Sequence, residues 1–378
     1  MNATRKHLLP GSTVGILGGG QLGRMIALEG KKMGYRFITL DPIADCPGAE
    51  AADRHIAAPY HDEVAARRMA SACDVITYEF ENVDDTIVRI LEEESFLPQG
   101  GALLEVTRHR LREKNALLKA GIPVAPFREV ANKDELRRAL DDIGFPSVLK
   151  TVTGGYDGKG QWILRKVEDV EAAIHDFAEG ETRILEQFVP FTKEISVIAA
   201  RGQDGEIRCF TPVENIHRDH ILHMTLAPAP VGRKVLETAE ELARKIAEHL
   251  DVVGLIAVEM FLKEDGQILV NELAPRPHNS GHFTYDACTV SQFEQHLRAV
   301  CGLPLGSPRL LSPAVMVNIL GQHVDALMKK LPDLPPEVKV HWYGKEDSRR
   351  GRKMGHVTAL AASTEEARRI LEDLAIWD

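Results

Sequence analysis

The chain has 378 residues, 44% of them hydrophobic and 27% charged, which is the composition of a soluble globular protein of two or three domains. Its net charge of -10 gives no basic footprint for nucleic acid, although a local basic cluster can still bind a small anion. No run approaches the roughly 18 apolar residues of a membrane span, and no apolar signal segment opens the chain, so we expect a cytoplasmic protein without a membrane partner.

The first hundred residues alternate predicted strands and helices. The strands are "TVGILG", "YRFITLD" and "DVITYEF", and the helices are "QLGRMIALEGKKMG" and a segment near "DEVAARRMASAC". This alternation is typical of a doubly wound parallel sheet. We therefore predict an N-terminal α/β domain over residues 1–112.

A small lid domain is predicted over residues 113–189. It begins within one long helix, "TRHRLREKNALLKAGIPVAPF", which we expect to end at Gly121, with Pro123 just beyond. A short amphipathic helix, "NKDELRRALDDIGFP", follows. The apolar runs "SVLKTV" and "QWILRK" then enclose a glycine-rich loop, which predicts a strand–loop–strand hairpin.

From residue 190 onward the pattern changes to antiparallel strands. They are "KEISVIAAR", "EIRCFTPVENIH" and the pair within "LIAVEMFLKEDGQILVNELAP", with the helix "GRKVLETAEELARKIAEHL" between them. The tail adds the strands "SPAVMVNILG", "VKVHWYGK" and "HVTALAAS" and the closing helix "TEEARRILEDLA". Residues 190–378 are predicted to form a C-terminal α+β body with its tail.

The segment "LGGGQLGRM" holds the first candidate site. Gly18, Gly20 and Gly23 fit G-x-G-x-x-G between a strand and a helix, and Asp41 ends the next strand. The pattern allows a nicotinamide cofactor, a phosphate-bearing substrate or a structural tight turn. We favour the phosphate-bearing substrate, because a dehydrogenase needs neither a second glycine loop nor the paired strand carboxylates described below.

The glycine hairpin "TVTGGYDGKGQ" is the second candidate. Backbone amides close on phosphate oxygens only where Cβ atoms are absent, and Lys150 and Lys159 add positive charge. A P-loop would be followed by a helix, whereas a hairpin can swing over a nucleotide as a lid. The alternative is an ordinary surface hairpin.

Glu259 and Glu272 interrupt two apolar strands joined by the turn "KEDG". If Leu262 pairs with Gln267, Glu259 faces Val270, and Glu272 lies one diagonal step away on the same sheet face. Carboxylates about 7–8 Å apart repel unless a cation lies between them, and Mg²⁺ prefers such oxygen ligands. A slip of one residue would separate the pair, and surface-facing glutamates are the alternative.

Two polar segments complete the set. In "NELAPRPHNSGH", Arg276 could hold an oxyanion bidentately. His278 and His282 lack a third ligand at suitable spacing, which makes zinc unfavourable. The five cysteines are scattered without C-x-x-C spacing, as expected of reduced thiols.

The second polar segment, "YGKEDSRRGRKMGH", is rich in basic residues. They form either a solvated charge run or an anion clamp, and we favour the clamp. The basic residues are Lys345, Arg349, Arg350, Arg352 and Lys353.

These motifs resemble the ATP-grasp superfamily, and within it the enzymes that carboxylate aminoimidazole ribonucleotide. The resemblance extends over nearly the whole chain through "GILGGGQLGRM", "YEFENV", "GGYDGKGQ", "EQFV", "VNELAPRPHNSGH" and "YGKEDSRRGRKMGH". It implies an ATP-grasp fold with an N-terminal doubly wound pre-ATP-grasp domain, a small lid and a C-terminal α+β body. The formate-dependent glycinamide ribonucleotide transformylases are similar but differ at the hairpin and at the N-terminal loop.

The resemblance implies that ATP phosphorylates bicarbonate to carboxyphosphate, which delivers CO₂ to the exocyclic amine of aminoimidazole ribonucleotide. Glu259 and Glu272 would hold two Mg²⁺. A homodimer is also implied. The residues assigned to ATP by the resemblance are Arg110, Lys150, Gly155, Tyr156, Asp157, Gly158, Lys159, Gly160, Gln161, Glu186, Gln187, Phe188, Val189, Glu194, His217, Asn271 and Glu272, with Arg108 as an alternative to Arg110.

The remaining assignments concern the ribonucleotide and the chemistry. Asp157 would orient the amine, while Arg276, Lys159 and Lys353 would stabilise carboxyphosphate as the other catalytic residues. The residues assigned to ribonucleotide binding are Gln21, Leu22, Glu79, His278, Asn279, Ser280, Lys345 and Arg352. Lys159 stands where some relatives carry Arg, so the bidentate fork of a guanidinium is missing there. A nicotinamide-dependent dehydrogenase and a non-catalytic nucleotide-binding subunit are the competing interpretations.

Overall fold

A computed structural model describes residues 6–155, 160–175 and 180–377 of the chain. Its N-terminal part contains β1 (Thr13–Leu17), α1 (Gln21–Lys32), β2 (Arg36–Asp41), α2 (Pro47–Ala51), β3 (Arg54–Ala57), α3 (Glu63–Ala72), β4 (Val75–Tyr78) and α4 (Asp85–Glu94). The four strands lie in the order β3-β2-β1-β4, and every neighbouring pair is parallel. The doubly wound prediction is confirmed. Strand β3 escaped sequence analysis because its four residues, "RHIA", are half polar.

The helix predicted from Thr107 to Gly121 is present, but it begins later, as α6 (Arg110–Lys119). A separate helix that was not predicted, α5 (Gly101–Thr107), precedes it. His109 between them has an extended backbone (φ -128°, ψ 104°), and its imidazole accepts from the amide of Arg112 as the N-terminal cap of α6. Because α6 begins afresh at Arg110, its first residues turn toward the lid.

The lid contains β5 (Phe127–Val130), α7 (Lys133–Ile143), β6 (Ser147–Thr151), β7 (Gln161–Leu164), α8 (Val167–His175) and β8 (Arg183–Gln187). Its antiparallel sheet runs in the order β5-β8-β6-β7. Leu149, Leu164 and Leu185 form part of the core beneath the helices. Strands β6 and β7 pair from Ser147–Leu164 to Lys150–Gln161, which confirms the hairpin.

The body and the tail share one sheet of nine strands. Its elements are β9 (Phe191–Arg201), β10 (Ile207–Cys209), β11 (Val213–Arg218), β12 (Ile221–Ala227), α9 (Arg233–His249), β13 (Gly254–Lys263), β14 (Ile268–Ala274), α10 (Thr284–Ala287), α11 (Gln292–Val300), β15 (Ala314–Leu320), α12 (Val324–Lys330), β16 (Val338–Trp342), β17 (Lys353–Leu360) and α13 (Thr364–Glu372). The strand order is β14-β13-β9-β11-β12-β15-β17-β16, with β10 paired to β9. Among the helices of the described residues, none combines the length and apolarity needed to cross a membrane.

Two details of the body differ from the sequence expectation. The segment "EIRCFTPVENIH" was predicted as one strand, but it forms β10 and β11 with Phe210–Pro212 between them. Pro212 lacks the amide that a continuous ladder requires, which explains the interruption. Strand β12, which follows the turn at Asp219 and His220, was not predicted.

The predicted register of the β13–β14 hairpin is also wrong, although the predicted face is right. Leu262 pairs with Ile268, not with Gln267, and Met260 pairs with Val270. The register then shifts, so that Asn271 is an extra residue on β14 and Glu259 lies directly opposite Glu272. The bulge therefore brings the two carboxylates closer than the expected diagonal arrangement.

A substitution tests how closely the first glycine loop packs against the side chain of Glu79. Gly18 has φ +104°, and a Cβ atom there would overlap the side chain of Glu79. We expect Gly18→Ala to lower the free energy of unfolding by about 2–5 kcal/mol, from backbone strain and overpacking together. Gly11→Ala is the matched control, since Gly11 has φ +97° but open space around it. Equal losses for the two variants in urea unfolding would contradict the packing argument.

Candidate active site

A cavity of about 820 Å³ lies where the N-terminal sheet, the lid sheet and the body sheet meet. Most of the described residues that sequence analysis assigned to a site line it. They are Gln21, Leu22, Glu79, Arg110, Lys150, Gly155, Gln161, Glu186, Gln187, Phe188, Val189, Glu194, His217, Glu259, Asn271, Glu272, Arg276, His278, Asn279 and Lys353. Gly160, Ser280, Lys345 and Arg352 lie outside this lining. Tyr156, Asp157, Gly158 and Lys159 lie outside the described residues.

The paired carboxylates form the electrostatic centre of the cavity. Glu259 Oε1 lies 2.9 Å from His278 Nε2, and Glu272 opens into the cavity. Burial raises the pKa of Glu272, and the neighbouring Glu259 raises it further. Burial would also raise the pKa of Glu259, but His278, His217 and Arg276 outweigh it and lower that pKa. The two carboxylates repel each other. His278 lies within hydrogen-bond distance of Glu259, whereas the charges of Arg110, Lys150 and His278 only partly offset the rise in the pKa of Glu272.

The donor set fits a divalent cation that shares its coordination with a ligand. Two carboxylates face each other across one strand pair and reach the same cavity. Within the described parts of the chain, no three His, Cys, Asp or Glu side chains are placed to hold a metal by themselves. Mg²⁺ commonly takes one or two carboxylates and completes its shell with water and phosphate oxygens, so this pair suits Mg²⁺ and not a structural zinc.

A buried charge network joins the lid to helix α6. Lys150 Nζ donates to Glu186 Oε2 at 2.8 Å, and Lys114 Nζ lies 3.7 Å from Glu186 Oε1. Burial would raise the pKa of Glu186, but Lys114 and Lys150 overcome it and lower that pKa to about 2. The Glu186 carboxylate therefore orients Lys150. Lys114 was missed, because helical periodicity does not reveal which strand a buried lysine reaches.

Apolar side chains line the part of the cavity nearest the lid. The Phe191 and Phe261 rings stack with centroids 4.6 Å apart and planes 8° apart. Val148, Ile163 and Phe188 also line the cavity. A flat ring system suits such a slot, which includes Phe188 of the "EQFV" segment. Sequence analysis missed Phe191 and Phe261, since their pairing depends on the register of β9 against β13.

Glu194 and His217 form an ion pair beside this slot. His217 Nδ1 lies 2.7 Å from Glu194 Oε2, and each side chain retains about a quarter of its exposure. Burial would lower the pKa of His217, but the hydrogen bond and the charge of Glu194 raise it. The pair presents a negatively charged acceptor at a polar edge of the slot, as expected for a ribose contact.

The first glycine loop is braced by its own acidic side chains. Both carboxylate oxygens of Glu79 accept from loop amides, those of Gly20 and Gly23. Asp41 Oδ2 accepts from Gly19 N at 2.9 Å and from the Tyr60 hydroxyl at 2.5 Å. Asp41 thus supports the loop and is not placed to bind a nicotinamide ribose. Gln21 and Leu22 open α1 and line the cavity with their amides at the positive helix end.

The segment after β14 holds its polar residues through specific partners. Arg276 Nη2 lies 2.7 Å from Glu81 Oε1, a partner that sequence analysis missed. Ser280 does not face the cavity; its hydroxyl lies 2.9 Å from Ser196 Oγ and 2.8 Å from His278 Nδ1. Ser280 therefore orients His278. His282 is fully buried beside His356, and burial lowers its pKa well below the usual value, so it stays neutral.

The basic segment divides into two groups. Arg349 and Arg350 are exposed to solvent. Lys345 Nζ donates to the carbonyl of Lys353 at 2.7 Å, and Lys353 lines the cavity. Burial lowers the pKa of Lys345 to about 8, helped by the positive charges of Arg352 and Lys353. Arg352 pairs with Asp347 at 3.3 Å. Lys345 also lies near Glu79, which braces the first glycine loop, because the charge of Glu79 acts to raise the pKa of Lys345.

The two arginines proposed as alternatives occupy different places. Arg110 donates to the carbonyls of Thr151 and Gly155 at 3.1 and 3.2 Å, at the base of the glycine hairpin. Arg108 donates to the carbonyl of Val83 at 2.9 Å and pairs with Asp85. Both line the cavity. Arg110 is therefore the one of the two whose described hydrogen bonds reach the hairpin.

Three protein families match the chain, and together they cover most of it. The ribonucleotide synthetase preATP-grasp domain matches residues 12–107, and the ATP-grasp domain matches residues 115–293. The phosphoribosylaminoimidazole carboxylase C-terminal domain matches residues 314–370. These matches confirm the predicted ATP-grasp fold with its N-terminal pre-ATP-grasp domain.

Two curated relatives align over almost their full length. The N5-carboxyaminoimidazole ribonucleotide synthase of Bacillus subtilis is 48% identical over 363 residues, which cover 96% of this chain and 95% of the relative. The enzyme of the same name from Brucella melitensis is 44% identical over 363 residues, covering 95% of this chain and 99% of the relative.

Solved structures agree with this assignment. An ADP complex of N5-carboxyaminoimidazole ribonucleotide synthetase superposes with a TM-score of 0.95 at 49% identity, covering 99% of this chain and 98% of the other. The Aspergillus clavatus synthase in complex with ADP and 5-aminoimidazole ribonucleotide gives a TM-score of 0.89 at 31% identity, covering 97% and 98%. Neither the transformylase nor the dehydrogenase alternative is favoured by these similarities.

The Glu194–His217 pair generates a pH prediction. Because the pKa of His217 is raised in the folded protein, the pair adds stability that is fully present below about pH 6.5 and is lost as pH rises through the raised pKa. Glu194→Gln should lower the pKa of His217 below 6.5, since burial then dominates. NMR titration of the imidazole measures this shift. Glu214→Gln, which removes a partner of Lys193, is the control; the same His217 pKa in both variants would refute the pairing.

Proposed function

Because the chain belongs to the N5-carboxyaminoimidazole ribonucleotide synthase family, we propose that it uses ATP and bicarbonate to carboxylate the exocyclic amine of 5-aminoimidazole ribonucleotide in purine biosynthesis. The observation that carries this proposal is one cavity lined both by the Glu259–Glu272 pair and by the first glycine loop. A nucleoside triphosphate and a second phosphorylated substrate can then bind in the same cavity. The products are ADP, phosphate and the carbamate.

The lid side of the cavity is the proposed ATP site. Its adenine would enter the slot beside Phe191 and Phe261, and Glu194 would accept from the ribose. Lys150, oriented by Glu186, and Arg110, at the base of the hairpin, supply positive charge for the phosphates. The hairpin residues from Gly155 to Gln161, including Tyr156, Asp157, Gly158, Lys159 and Gly160, are proposed to close over them.

The N-terminal side of the cavity is the proposed ribonucleotide site. The amides of Gln21 and Leu22 at the start of α1 would bind the phosphate, with Lys345 and Arg352 supplying positive charge from the tail. Glu79 shapes this site by holding the loop amides, so we propose that it acts through the loop as well as toward the ribose. His278, held by Ser280, and Asn279 would face the base.

The chemistry between the two sites requires anion stabilisation. A bicarbonate oxygen bonds to the γ-phosphorus while the bond to ADP breaks, which gives carboxyphosphate. Carboxyphosphate then separates into phosphate and CO₂, and the amine nitrogen bonds to that carbon and loses one proton. Arg276 and Lys353 line the space where these anions form, and Lys159 and Asp157 are proposed to join them from the hairpin.

Glu259 and Glu272 would hold the magnesium ions, two by family resemblance. When bound, Mg²⁺ neutralises the phosphate oxygens during phosphoryl transfer. The resemblance further supports a homodimer in the cytoplasm as the working form. It also supports three units, with an N-terminal domain over residues 1–112, a lid over 113–189 and a body over 190–378.

Release of inorganic phosphate tests the proposed activity directly. With ATP, Mg²⁺, bicarbonate and aminoimidazole ribonucleotide together, we expect strong release that falls when the ribonucleotide is omitted. Release that requires glycinamide ribonucleotide and formate would identify the transformylase activity in its place. No release under any combination, despite ATP binding, would identify a non-catalytic nucleotide-binding subunit.

The carboxylate pair gives a second prediction. Glu272→Gln removes one negative ligand, so we expect a loss of turnover of at least a hundredfold, with a higher Mg²⁺ concentration for half-maximal rate. Glu264→Gln is the matched control, because Glu264 lies exposed on the turn of the same hairpin. Turnover and Mg²⁺ dependence like those of the control would remove Glu272 from the metal site.

A further inference from the structure

Strand β14, which carries Glu272, lies at the edge of the nine-stranded sheet. Its outer side is therefore not paired along its length with another strand, and its backbone groups need other partners. The amide of Val270 donates to the carbonyl of Pro123 at 2.8 Å. The next three residues, Asn271, Glu272 and Leu273, include the bulge that sets Glu272 opposite Glu259.

Helix α6 satisfies this part of the edge with two adjacent side chains. Lys114 Nζ donates to the carbonyl of Asn271 at 2.8 Å and approaches the carbonyl of Val270 at 3.4 Å. Glu113 Oε2 accepts from the amide of Leu273 at 3.1 Å. Glu113 and Lys114 are each 2% exposed. They therefore hold the backbone immediately before and immediately after Glu272.

The bulge makes this support necessary. Asn271 has no cross-strand partner in the register with β13, so its conformation is less constrained by that ladder. If the bulge slipped by one residue, Glu272 would move to the other sheet face. A charged amine on the Asn271 carbonyl opposes that slip, since releasing the carbonyl would leave a buried ammonium with fewer partners.

Lys114 also reaches the lid. Its amine lies 3.7 Å from Glu186 Oε1, and the other oxygen of Glu186 accepts from Lys150. One buried lysine thus contacts both the strand that carries the metal carboxylate and the strand that orients the phosphate-binding lysine. The bulge and Lys150 are linked through two charged contacts.

We propose that Glu113 and Lys114 are positioning residues that fix the β14 bulge, and with it Glu272, in the geometry needed to bind the metal–nucleotide complex. The proposal rests on the proposed function only in assigning Glu272 to the metal site. Glu113 is among the residues that line the cavity, whereas Lys114 is not. Both are proposed to act through the backbone around Glu272, and Lys114 also through Glu186.

Binding of Mn²⁺ in the presence of saturating ADP, followed by electron paramagnetic resonance on the full chain, tests the proposal without turnover. Lys114→Met should weaken Mn²⁺ binding at least tenfold. Lys119→Met is the matched control, because Lys119 lies exposed on the same helix, and it should stay within twofold of the parent chain. A Lys114→Met variant that loses thermal stability but binds Mn²⁺ like the control would overturn the proposal.

A second pair of variants decides the matter if Lys114→Met does not fold. Glu113→Gln keeps an acceptor for the Leu273 amide, whereas Glu113→Leu removes it. The Glu113→Gln variant should bind Mn²⁺ at least fivefold more tightly than the Glu113→Leu variant. Equal binding by the two variants would refute the positioning role. Phosphate release by the parent chain checks the proposed function separately, so failure of one result leaves the other intact.

Discussion

The mutual repulsion of Glu259 and Glu272 is the constraint on which the rest of the site depends. The hairpin register places the two carboxylates opposite each other, and nearby positive charge lowers the pKa of Glu259 but does not offset the rise for Glu272. Burial and the charge of Glu259 raise the pKa of Glu272. A site with this imbalance gains most from a ligand that brings positive charge to Glu272. A cation bound to a nucleotide supplies that charge together with its own phosphates, so the metal and the nucleotide are expected to bind as one unit.

Each of the three sheets contributes different groups to the cavity around this carboxylate pair. The lid supplies Lys150 and one wall of the apolar slot, the body sheet supplies the carboxylates and the stacked Phe191 and Phe261, and α1 beside the N-terminal sheet supplies the helix end proposed for a second phosphate. Each element that we propose to bind an anion is held by a carboxylate: Glu186 accepts from Lys150, Glu81 pairs with Arg276, and Glu79 accepts from an amide of the glycine loop. Positive charge is thus preorganised, which limits the reorganisation required when charge develops during the reaction.

The parts of this arrangement that the sequence predicts are those encoded by local pattern. Alternating apolar runs predicted most strands, and the glycine hairpin and the face shared by Glu259 and Glu272 followed from short-range spacing. The errors arose at the ends of elements, as where His109 caps α6 after the predicted helix start, and where an extra residue changes the register, as Asn271 does on β14. Lys114, Glu81 and Phe261 could not be found in this way, because each acts through a contact with a distant segment.

The predicted register of β13 and β14 was wrong, yet Glu259 and Glu272 still share one sheet face, for a different physical reason. In the expected register, Glu259 and Glu272 are diagonal neighbours, and a perfect ladder is enough to place them. In the structure, they are direct neighbours only because Asn271 is accommodated as an extra residue. A bulged edge strand is less constrained by its ladder than a regular one, so the proposed metal site needs support from outside the sheet. In the proposed arrangement, helix α6 provides it through Glu113 and Lys114, which explains why two ionisable side chains are buried between the lid sheet and the body sheet.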